Sequence, residues 1–372
     1  MAQSDTDQLR KTPLNALHRA AGARMASSVG WDLPAEYSGA VAEHMAVRTR
    51  AGLFDLSHFG QVEVAGRNAL AAIQGLTTGD ASRLGVGQAL ASAITTPDGT
   101  IVDCVRTYRL AGQHFLLIVS ADAVARVAEW IQKHGSEFGD VIAIDTSSRY
   151  ALIAIHGPHA RDVLQQVTEI DLGAMDADCF ASGEVPHARV TIGRTAGLGE
   201  EGYQILVPPQ QAAAAWKAIL DAGDEGDVIP VGTLARDTLR LEAGERFNGQ
   251  DISAGTTLLE AGLDALVDWD KGTFVGREAL ERQRQSGVER RLVGFEMEAD
   301  GQCAAGCQAS FEGSPLGVVT SAARTPFLGK SVGLVCLPAR HASPGSFFDV
   351  SVDGRPCRAR VVALPFYNRD KR

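Results

Sequence analysis

The feature that most constrains the fold of this chain is a change in its pattern near residue 287. Before that point helix-like and strand-like segments are mixed, and after it nearly every segment has the length and composition of a short strand. Glycine and proline turns separate the later segments, which favours a small sandwich or barrel. The predicted strands are 291–297, 308–311, 317–320, 331–336, 347–352 and 358–364.

Helix-like and strand-like segments alternate before residue 287, which predicts an α+β fold in two groups. The first group runs from 61 to 134, and the second begins at 150 and includes the charged stretch 235–244. The polar run 281–287 is predicted to be a linker. Predicted helices cover 15–25, 41–51, 122–134 and 210–221, and predicted strands cover 61–64, 100–110, 114–120, 150–156, 188–195 and 203–207.

Composition places the chain among ordinary soluble globular proteins. It has 372 residues, of which 45% are hydrophobic and 22% are charged, enough for two or three domains with substantial cores. Its formal net charge of -10 argues against nucleic acid or an anionic membrane as a general partner, because both would repel it. No basic patch in the sequence offsets that repulsion.

The N-terminal segment Met1–Gln8 is polar and acidic, without the apolar centre of a secretory signal. The sequence also lacks a run of about 18 apolar residues, the length that a membrane-spanning helix needs. We therefore expect a cytoplasmic protein with no membrane partner.

Six cysteines are scattered through the chain, so reduced and mostly buried thiols are expected. Only Cys303 and Cys307 are close in sequence. Their spacing is longer than a redox Cys-x-x-Cys, and no second pair or nearby histidines complete a zinc site. No metal is predicted.

The stretch 235–244 is predicted to be a short helix with four charged side chains. Thr233 is the expected N-cap, and Gly244 is the residue just past the C-terminus. Arg236 and Arg240 share one face, where like charges repel unless a carboxylate offsets them. Two readings stay open: an internal salt-bridge network, or an anion clamp, since guanidinium groups bind carboxylates bidentately. The predicted buried stripe is Leu234, Thr238 and Leu241.

The glycine-rich stretch 197–202 has the spacing of a dinucleotide-binding fingerprint but not its context. The next residues, 203–209, have the pattern of a strand rather than the helix that would hold a pyrophosphate, and two glutamates would repel phosphate. The alternative is a hairpin that presents Glu200 or Glu201 to a cleft, where a carboxylate can accept paired hydrogen bonds from an amino-pyrimidine edge. A solvated turn is the third reading.

Asp103 interrupts an apolar, strand-like run. A carboxylate in such a position is rarely buried without a partner, so it either caps a turn, pairs with a cation or faces a pocket. The segment 55–58, Asp-Leu-Ser-His, contains a possible acid and base. No serine elbow precedes it, so a hydrolase triad is not supported.

Seven stretches, taken together and in order, resemble the T-protein family, the aminomethyltransferases of the glycine cleavage system. The likeness runs from about residue 12 to residue 369. Each stretch alone is weak, but seven in the family's order over the whole length are specific. They are Gly30–Pro34, Glu43–Thr49, Gly52–His58, Gly199–Tyr203, Ala235–Gly244, Phe274–Leu280 and Pro365–Tyr367.

The resemblance implies a three-domain, cloverleaf-like α+β fold around a central channel that binds tetrahydrofolate. The first domain would be discontinuous, joining 1–55 to 150–282, and would bind the folate. The second, 56–149, would also be α+β. The third, 283–372, would be an all-β domain of barrel or jelly-roll type.

The resemblance also implies a tetrahydrofolate-dependent aminomethyltransferase. The family takes a one-carbon unit from an aminomethyl group on the dihydrolipoyl arm of a lipoylated H-protein. It passes this unit to tetrahydrofolate, forming methylenetetrahydrofolate and releasing ammonia. Tetrahydrofolate is the acceptor substrate, and a fixed carboxylate that stabilises an iminium-like cation needs no metal.

Site residues are carried over from the family by position. Asp103 falls on the catalytic aspartate, Glu200 on the glutamate that grips the pterin, and Arg236 on an arginine that contacts the substrate. Arg369 matches a C-terminal basic residue near the folate tail, and Tyr203 belongs to the same folate-binding set.

The two arginines of the charged helix thereby receive different roles. Arg236 becomes the candidate ligand contact, as in the anion-clamp reading. Arg240 is expected to be structural, paired with Asp237 or Glu242.

Five positions depart from the family pattern near the implied pocket. They leave open three readings: the family's aminomethyl transfer from H-protein, a folate-dependent demethylase or one-carbon transferase that acts on a free small molecule, and a non-catalytic folate-binding protein. Aromatic and polar contacts of the family are replaced, and the charged contacts are kept. The five are Ala91, Cys104, Ser120, Leu198 and Asn248.

Overall fold

The computed structural model describes residues 9–224, 226–298 and 301–369. The chain divides into two compact units. The first unit comprises Met1–Val62 and Asp145–Asp237, and the second comprises Glu63–Ile144 and Thr238–Arg372. The N-terminal segment 1–8, on which the expectation of a leaderless protein rests, lies outside the described residues. Among the residues described, no helix has the length and apolar character needed to cross a membrane.

The α-helices of the described residues are short, with six to twelve residues each. They are α1 Asn15–Ala20, α2 Ala40–Thr49, α3 Ala69–Leu76, α4 Val124–Gly135, α5 Ala160–Gln165, α6 Ala212–Ala222, α7 Thr233–Glu242 and α8 Arg277–Ser286.

The strands fall into two series along the chain. Those before residue 231 are β1 Arg10–Lys11, β2 Arg24–Ser28, β3 Trp31–Glu36, β4 Ala51–Asp55, β5 Gly60–Ala65, β6 Ala89–Thr95, β7 Ile101–Ala111, β8 His114–Val119, β9 Ile142–Asp145, β10 Ala151–His156, β11 Phe180–Val185, β12 Ala188–Gly197, β13 Glu200–Val207 and β14 Val228–Pro230. Those after residue 289 are β15 Arg290–Met297, β16 Gln308–Phe311, β17 Ser314–Arg324, β18 Ser331–Pro338, β19 Phe347–Val352 and β20 Arg355–Val362.

The first unit is built on a six-stranded sheet in the order β11-β12-β13-β10-β4-β14. Strand β4 pairs antiparallel with β10 and parallel with β14. Helix α6 packs its apolar face into the core of this unit, where Trp216 and Tyr203 are among the largest fully buried side chains. Strands β12 and β13, which form a hairpin, are interior strands of this sheet and contribute side chains to this core.

The second unit contains most of a five-stranded sheet in the order β6-β7-β8-β5-β9 and a closed barrel in the order β15-β18-β17-β16-β19-β20. The barrel is filled by apolar side chains, including Phe295 and Phe348, whose rings meet edge to face at 5.5 Å. The predicted all-β segment is therefore confirmed, and it closes as a barrel rather than a sandwich.

Most predicted elements before residue 222 are found, with changed ends. The predicted helix 15–25 was too long, because α1 stops at Ala20 and β2 begins at Arg24 after a turn with Gly22 at φ 79°.

The prediction of a linker at 281–287 was wrong, because helix α8 runs to Ser286. Apolar Leu280 anchors that helix in a buried cluster of the second unit, a contact that the polar composition of the run conceals.

The predicted helix 235–244 is α7, although two details of the prediction were wrong. Thr233 is the first helical residue rather than the cap, and Leu234 is 43% exposed. Leu241 is buried as predicted, whereas Ala235 and Leu239 take the place of Leu234 in the buried stripe. Gly244 follows the helix end at φ 68°, as predicted for a C-terminal stop.

Candidate active site

Asp103 lies in β7 of the second unit and has 0% of its surface exposed. Three donors hold its carboxylate. The Ser120 backbone N–H donates to Oδ2 at 2.8 Å, and the Ser120 hydroxyl donates to Oδ1 at 2.7 Å. The Asn248 side-chain amide also donates to Oδ1, at 3.0 Å. Of the alternatives that the sequence left open, pairing with a cation does not describe this site, since hydrogen-bond donors satisfy the charge, and the pocket-facing role of Asp103 stays a prediction.

Burial raises the pKa of Asp103 to about 6, because the charged form loses hydration. The two hydrogen bonds from Ser120 lower this pKa, and the nearby charge of Asp122 raises it. A carboxylate of this kind is ionised at neutral pH and takes up a proton in mildly acidic solution. It can stabilise a positive charge without first being neutralised, as an electrostatic role in catalysis requires.

The neighbouring Cys104 is unsuited to nucleophilic catalysis. Burial raises the pKa of its thiol to about 12, and the charge of Asp103 adds to this effect. Because the thiolate is the nucleophile, a thiol with such a pKa is inert at neutral pH. All six cysteines of the chain are free thiols, as the sequence indicated, but only Cys303 is buried, so the expectation of mostly buried thiols was wrong.

Glu200 lies at the start of β13 in the first unit, just after a two-residue hairpin turn. Strands β12 and β13 pair up to Gly197 and Glu200, and the turn residues Leu198 and Gly199 have φ values of 57° and 78°. Positive φ at both central residues is the geometry of a type I′ hairpin turn, which Gly199 adopts without strain. The strand that follows excludes a dinucleotide-binding turn at this motif.

The Glu200 carboxylate is paired with Arg48 of helix α2. Arg48 Nη1 lies 3.2 Å from Glu200 Oε1, and the same nitrogen donates to the Leu198 carbonyl at 2.6 Å. Both charged side chains are fully buried in this unit. One guanidinium therefore binds the turn and the first strand residue after it, which sets the position of Glu200.

His156 packs against the glycines of this hairpin. A β-carbon on Gly202 would lie 2.1 Å from His156 Nδ1, and one on Gly197 would lie 2.9 Å from Cε1. Only glycine at these positions leaves room for the ring. Burial lowers the pKa of His156 to about 3, and the charges of Arg236 and Arg48 act in the same direction. The imidazole is therefore neutral in the folded protein.

Arg236 lies on α7 with its guanidinium carbon 5.3 Å from the centre of the Phe59 ring. Burial lowers the pKa of His58 to about 4, and the positive charge of Arg236 is the second cause of this shift. Nδ1 of His58 and Nδ1 of His156 are buried and have no hydrogen-bond partner among the described residues. Arg236 thus lies close to the Phe59 ring and near two histidines, His58 and His156, whose pKa values its charge lowers.

The other predicted site residues have different surroundings. Tyr203 is fully buried in the core of the first unit, with its hydroxyl 3.4 Å from Glu201 Oε1, and its folate-binding role stays a prediction. Arg369 is exposed. Arg240 is buried and forms an ion pair with Asp251 at 2.6 Å, a partner that the sequence did not indicate.

The acid and base in the segment 55–58 do not form a catalytic dyad. Asp55 Oδ2 lies 2.9 Å from His18 Nε2 and accepts the Thr12 hydroxyl at 2.6 Å. His18 also contacts the Tyr37 hydroxyl at 2.8 Å through Nδ1. These side chains form a buried polar network in the first unit, which fits a structural role and agrees with the rejection of a hydrolase triad.

Sequence patterns missed Arg48 and His156 as neighbours of the hairpin that carries Glu200. Glu200, the carboxylate that pairs with Arg48, is 152 residues away along the chain, so the helical spacing of α2 could not indicate this pair. The signal for His156 was the pair of glycines at 197 and 202, whose lack of side chains makes space for its ring.

Comparisons with known proteins agree over nearly the whole chain. Residues 14–271 match the description GCVT N-terminal domain, and residues 290–368 match Glycine cleavage T-protein C-terminal barrel domain. An aminomethyltransferase from Acidobacterium capsulatum is 40% identical over 100% of both chains. One from Rubrobacter xylanophilus is 41% identical over 98% of this chain and 95% of its own. The solved structure of glycine cleavage system aminomethyltransferase T from Bartonella henselae has a TM-score of 0.90 at 29% identity, covering 97% of this chain and 99% of that one.

Proposed function

This chain belongs to the glycine cleavage T-protein family and is an aminomethyltransferase, an enzyme that transfers one-carbon groups; from this premise we propose its donor and acceptor. The donor is the aminomethyl group on the dihydrolipoyl arm of a lipoylated H-protein. The acceptor is tetrahydrofolate. A cytoplasmic location is part of the same proposal, in keeping with the redox state that free thiols require.

The proposed reaction balances without an added oxidant or metal. The carbon–nitrogen bond to the leaving amine and the carbon–sulfur bond to the lipoyl arm break, and two bonds form from the carbon to N5 and N10 of tetrahydrofolate. The two hydrogens lost from these nitrogens appear on ammonia and on the thiol. Each substitution passes through a cationic, iminium-like carbon, so a fixed negative charge lowers the barrier.

The observation that carries this proposal is the retained carboxylate of Asp103. It is buried, held by three donors and ionised at neutral pH, which suits stabilisation of a cationic intermediate. In the proposal Asp103 is the catalytic aspartate of the family. Burial increases its effect, because the same charge acts more strongly in a medium of low dielectric constant.

In the same proposal Glu200 and Arg236 bind tetrahydrofolate. The Glu200 carboxylate, oriented by Arg48, accepts hydrogen bonds from the amino-pyrimidine edge of the pterin. Arg236 contacts the substrate, and Arg369 approaches the anionic tail of the folate. Tyr203 supports this set from the core through its hydroxyl contact with Glu201.

The direct test is an assay with H-protein loaded with the aminomethyl group and with tetrahydrofolate as acceptor. The proposal expects equal amounts of ammonia and methylenetetrahydrofolate. A chain that releases ammonia from the donor without consuming folate would overturn the choice of acceptor. Binding of tetrahydrofolate with no turnover of this donor would overturn the choice of donor.

A second candidate is one-carbon transfer from a free small molecule to tetrahydrofolate. Exposed Ala91 favours it, because a methyl group stands there in place of the family's aromatic ring. A smaller side chain leaves room for a different donor. A screen of free methylated and aminomethylated amines, with tetrahydrofolate present and H-protein absent, separates the two candidates.

A further inference from the structure

Residues 247–252 form a loop, the Asn248 loop, that brings an amide donor to the carboxylate of Asp103. Asn248 Nδ2 donates to Asp103 Oδ1 at 3.0 Å. The loop is closed by its own backbone, since the Asp251 N–H donates to the Phe247 carbonyl at 2.8 Å. Because this bond ties the two sides of the loop together, whatever holds the loop in place also sets the position of Asn248.

The Asp251 carboxylate anchors this loop. Its Oδ2 accepts the Phe247 N–H at 2.8 Å and Arg240 Nη1 at 2.6 Å. Its Oδ1 accepts the hydroxyls of Thr320 and Ser321, each at 2.6 Å. These four donors come from the loop itself, from helix α7 and from barrel strand β17. An ionised carboxylate has about four acceptor positions, and the protein uses all of them, so Asp251 holds the loop rather than a ligand.

Thr320 and Ser321 reach the same oxygen because strand β17 is irregular at this point. Its pairing register with β18 shifts between Val319 and Ser321. Consecutive side chains of a regular strand point to opposite faces, whereas a bulge redirects one of them. The Gln250 amide binds here too, to the Thr320 carbonyl at 3.0 Å and to Ser321 Oγ at 2.9 Å. The bulge therefore presents two consecutive residues of β17 to the Asn248 loop.

We propose that Asp251 is a positioning residue for aminomethyl transfer. It fixes the Asn248 loop on the bulge of β17, so that Asn248 remains bound to Asp103 while Asp103 acts on the substrate. The inference rests on the proposed function, because it takes Asp103 as the catalytic aspartate. At position 248 the chain departs from the family pattern, so the amide donor is a feature of this chain.

The protonation of Asp103 reports on this arrangement. A donor to the ionised form lowers a carboxyl pKa, so loss of the Asn248 bond should raise the pKa of Asp103 above its value of about 6. Loss of the Asp251 charge acts directly in the opposite direction, because a nearby negative charge raises a carboxyl pKa. The direction of the shift therefore shows whether Asp251 acts through Asn248 or only through its charge.

The other charged and titratable groups near Asp103 stay in place when Asp251 is replaced. The charge of Asp122 raises the pKa of Asp103, and that of Arg126 lowers it. The Cys104 thiol, next in the strand, has a pKa of about 12 and is neutral below pH 9, and the guanidinium near it, Arg246, stays charged. A shift seen on replacing Asp251 is therefore a response of the loop.

Asp251→Leu is the first variant, because leucine keeps the branched shape and removes every acceptor. The Asp103 carboxyl is titrated by isotope-edited infrared spectroscopy, with Asp103→Asn to assign the band. We expect the midpoint to rise by about one pH unit, the scale of one hydrogen bond to a charged group. An unchanged or lower midpoint would overturn the inference. The matched control is Asp349→Leu, at a half-buried aspartate of barrel strand β19, which should leave the midpoint unchanged.

A second variant keeps the test decisive if Asp251→Leu does not fold, because that change leaves Arg240 buried beside an apolar side chain. Thr320→Val combined with Ser321→Ala removes both bulge hydroxyls and keeps the ion pair of Arg240 with Asp251. The midpoint of Asp103 should rise here as well, by about half a pH unit or more. No rise in this double variant would show that the bulge does not hold Asn248 on Asp103.

The pH profile of kcat separates positioning from general loss of structure. At pH 6 Asp251→Leu should reduce kcat about fivefold, because the ionised fraction of Asp103 falls from about a half to about a tenth. Most of this loss should be recovered at pH 8.5, and KM for tetrahydrofolate should change less than about twofold. A loss of the same size at every pH would mean that Asp251 only supports the fold, and it would overturn the inference.

A double-mutant cycle tests whether Asp251 acts through Asn248. Asn248→Leu alone should raise the midpoint of Asp103, and adding Asp251→Leu should raise it no further. A further rise of similar size would show that Asp251 acts by another route. Absence of transfer by the wild-type enzyme with loaded H-protein would count against the proposed function, and the infrared titration, which needs no turnover, would still decide the inference.

Discussion

Arg48 and Glu200 form an ion pair at 3.2 Å in which neither side chain has solvent-exposed surface. Arg48 also donates to the Leu198 carbonyl, so the pair joins helix α2 to the β12–β13 hairpin within the first unit. Removing both charges from water is costly, and a good geometry with further hydrogen bonds offsets that cost. The pair therefore contributes order to the hairpin more than it contributes net stability.

Arg48→Met should destabilise the protein by about 3–5 kcal/mol, because it removes the cation that faces a buried carboxylate. The double variant Arg48→Met with Glu200→Gln should recover part of that loss, since the buried charge is then gone as well. Unfolding in urea, followed by tryptophan fluorescence, measures both. Arg67→Met is the matched control, because Arg67 is 88% exposed in its ion pair with Asp140. A loss for Arg67→Met as large as that for Arg48→Met would contradict the explanation.

The rate of the proposed transfer should fall in mildly acidic solution. Asp103 works as a carboxylate and has a pKa of about 6, so its contribution is present above this pH and is lost as the pH falls through it. The acid limb of kcat against pH should have its midpoint near this value. Asp103→Asn should abolish the limb and reduce kcat by about 100-fold or more, the scale of a lost electrostatic contact in catalysis. A limb that persists unchanged in Asp103→Asn would assign it to another group.

The fold was largely predictable because it follows local periodicity. Strands such as β8 and β10 are short, nearly continuous apolar runs of the length typical of buried strands, helix α4 has apolar residues at helical spacing, and turns separate the barrel strands. Helix α8 was missed because its buried anchors are only Ala279 and Leu280 in an otherwise charged run. Such a helix depends on tertiary contacts, which periodicity does not report.

The site was predictable only in part. Asp103 was singled out because a charge in an apolar strand calls for a partner, but the partners Ser120 and Asn248 lie 17 and 145 residues away. The same holds for Arg240, whose ion pair with Asp251 forms outside the helix. Local spacing identifies a residue that needs a partner, and only the tertiary fold determines which residue provides it.

Lys271 should be essential for the stability of the second unit. Its ammonium donates to the carbonyls of Gln74, Thr77 and Gly79, each at 2.7 Å, at and beyond the C-terminal end of helix α3. Burial lowers its pKa to about 8, so it remains charged at neutral pH. Lys271→Met should cost about 3 kcal/mol or more, because buried carbonyls lose their donor.

The control for this prediction is Lys330→Met. Lys330 is a lysine with a single carboxylate partner, Glu296, at 3.0 Å, and the Lys330 side chain is 57% exposed. Its loss should change the free energy of unfolding by less than about 1 kcal/mol, as is usual for surface ion pairs. Equal urea midpoints for Lys271→Met and the wild type would show that water replaces the ammonium at no cost.

Gly202→Ala should weaken the binding of tetrahydrofolate by moving the hairpin that carries Glu200. The new methyl group would lie 2.1 Å from His156 Nδ1 and 2.6 Å from the Ile155 carbonyl oxygen, and neither distance is tolerable. The strand must shift to relieve the clash, and Glu200 shifts with it. Fluorescence titration should give a dissociation constant for tetrahydrofolate that is raised about tenfold or more, since displacement of a positioned carboxylate costs at least one hydrogen bond.

Gly255→Ala is the matched control for Gly202→Ala. An added β-carbon on Gly255 has no neighbour within 4 Å, so this variant should bind tetrahydrofolate as the wild type does. Because part of the clash is with backbone, His156→Ala should restore affinity to Gly202→Ala only partly, and full restoration would identify the imidazole as the sole obstacle.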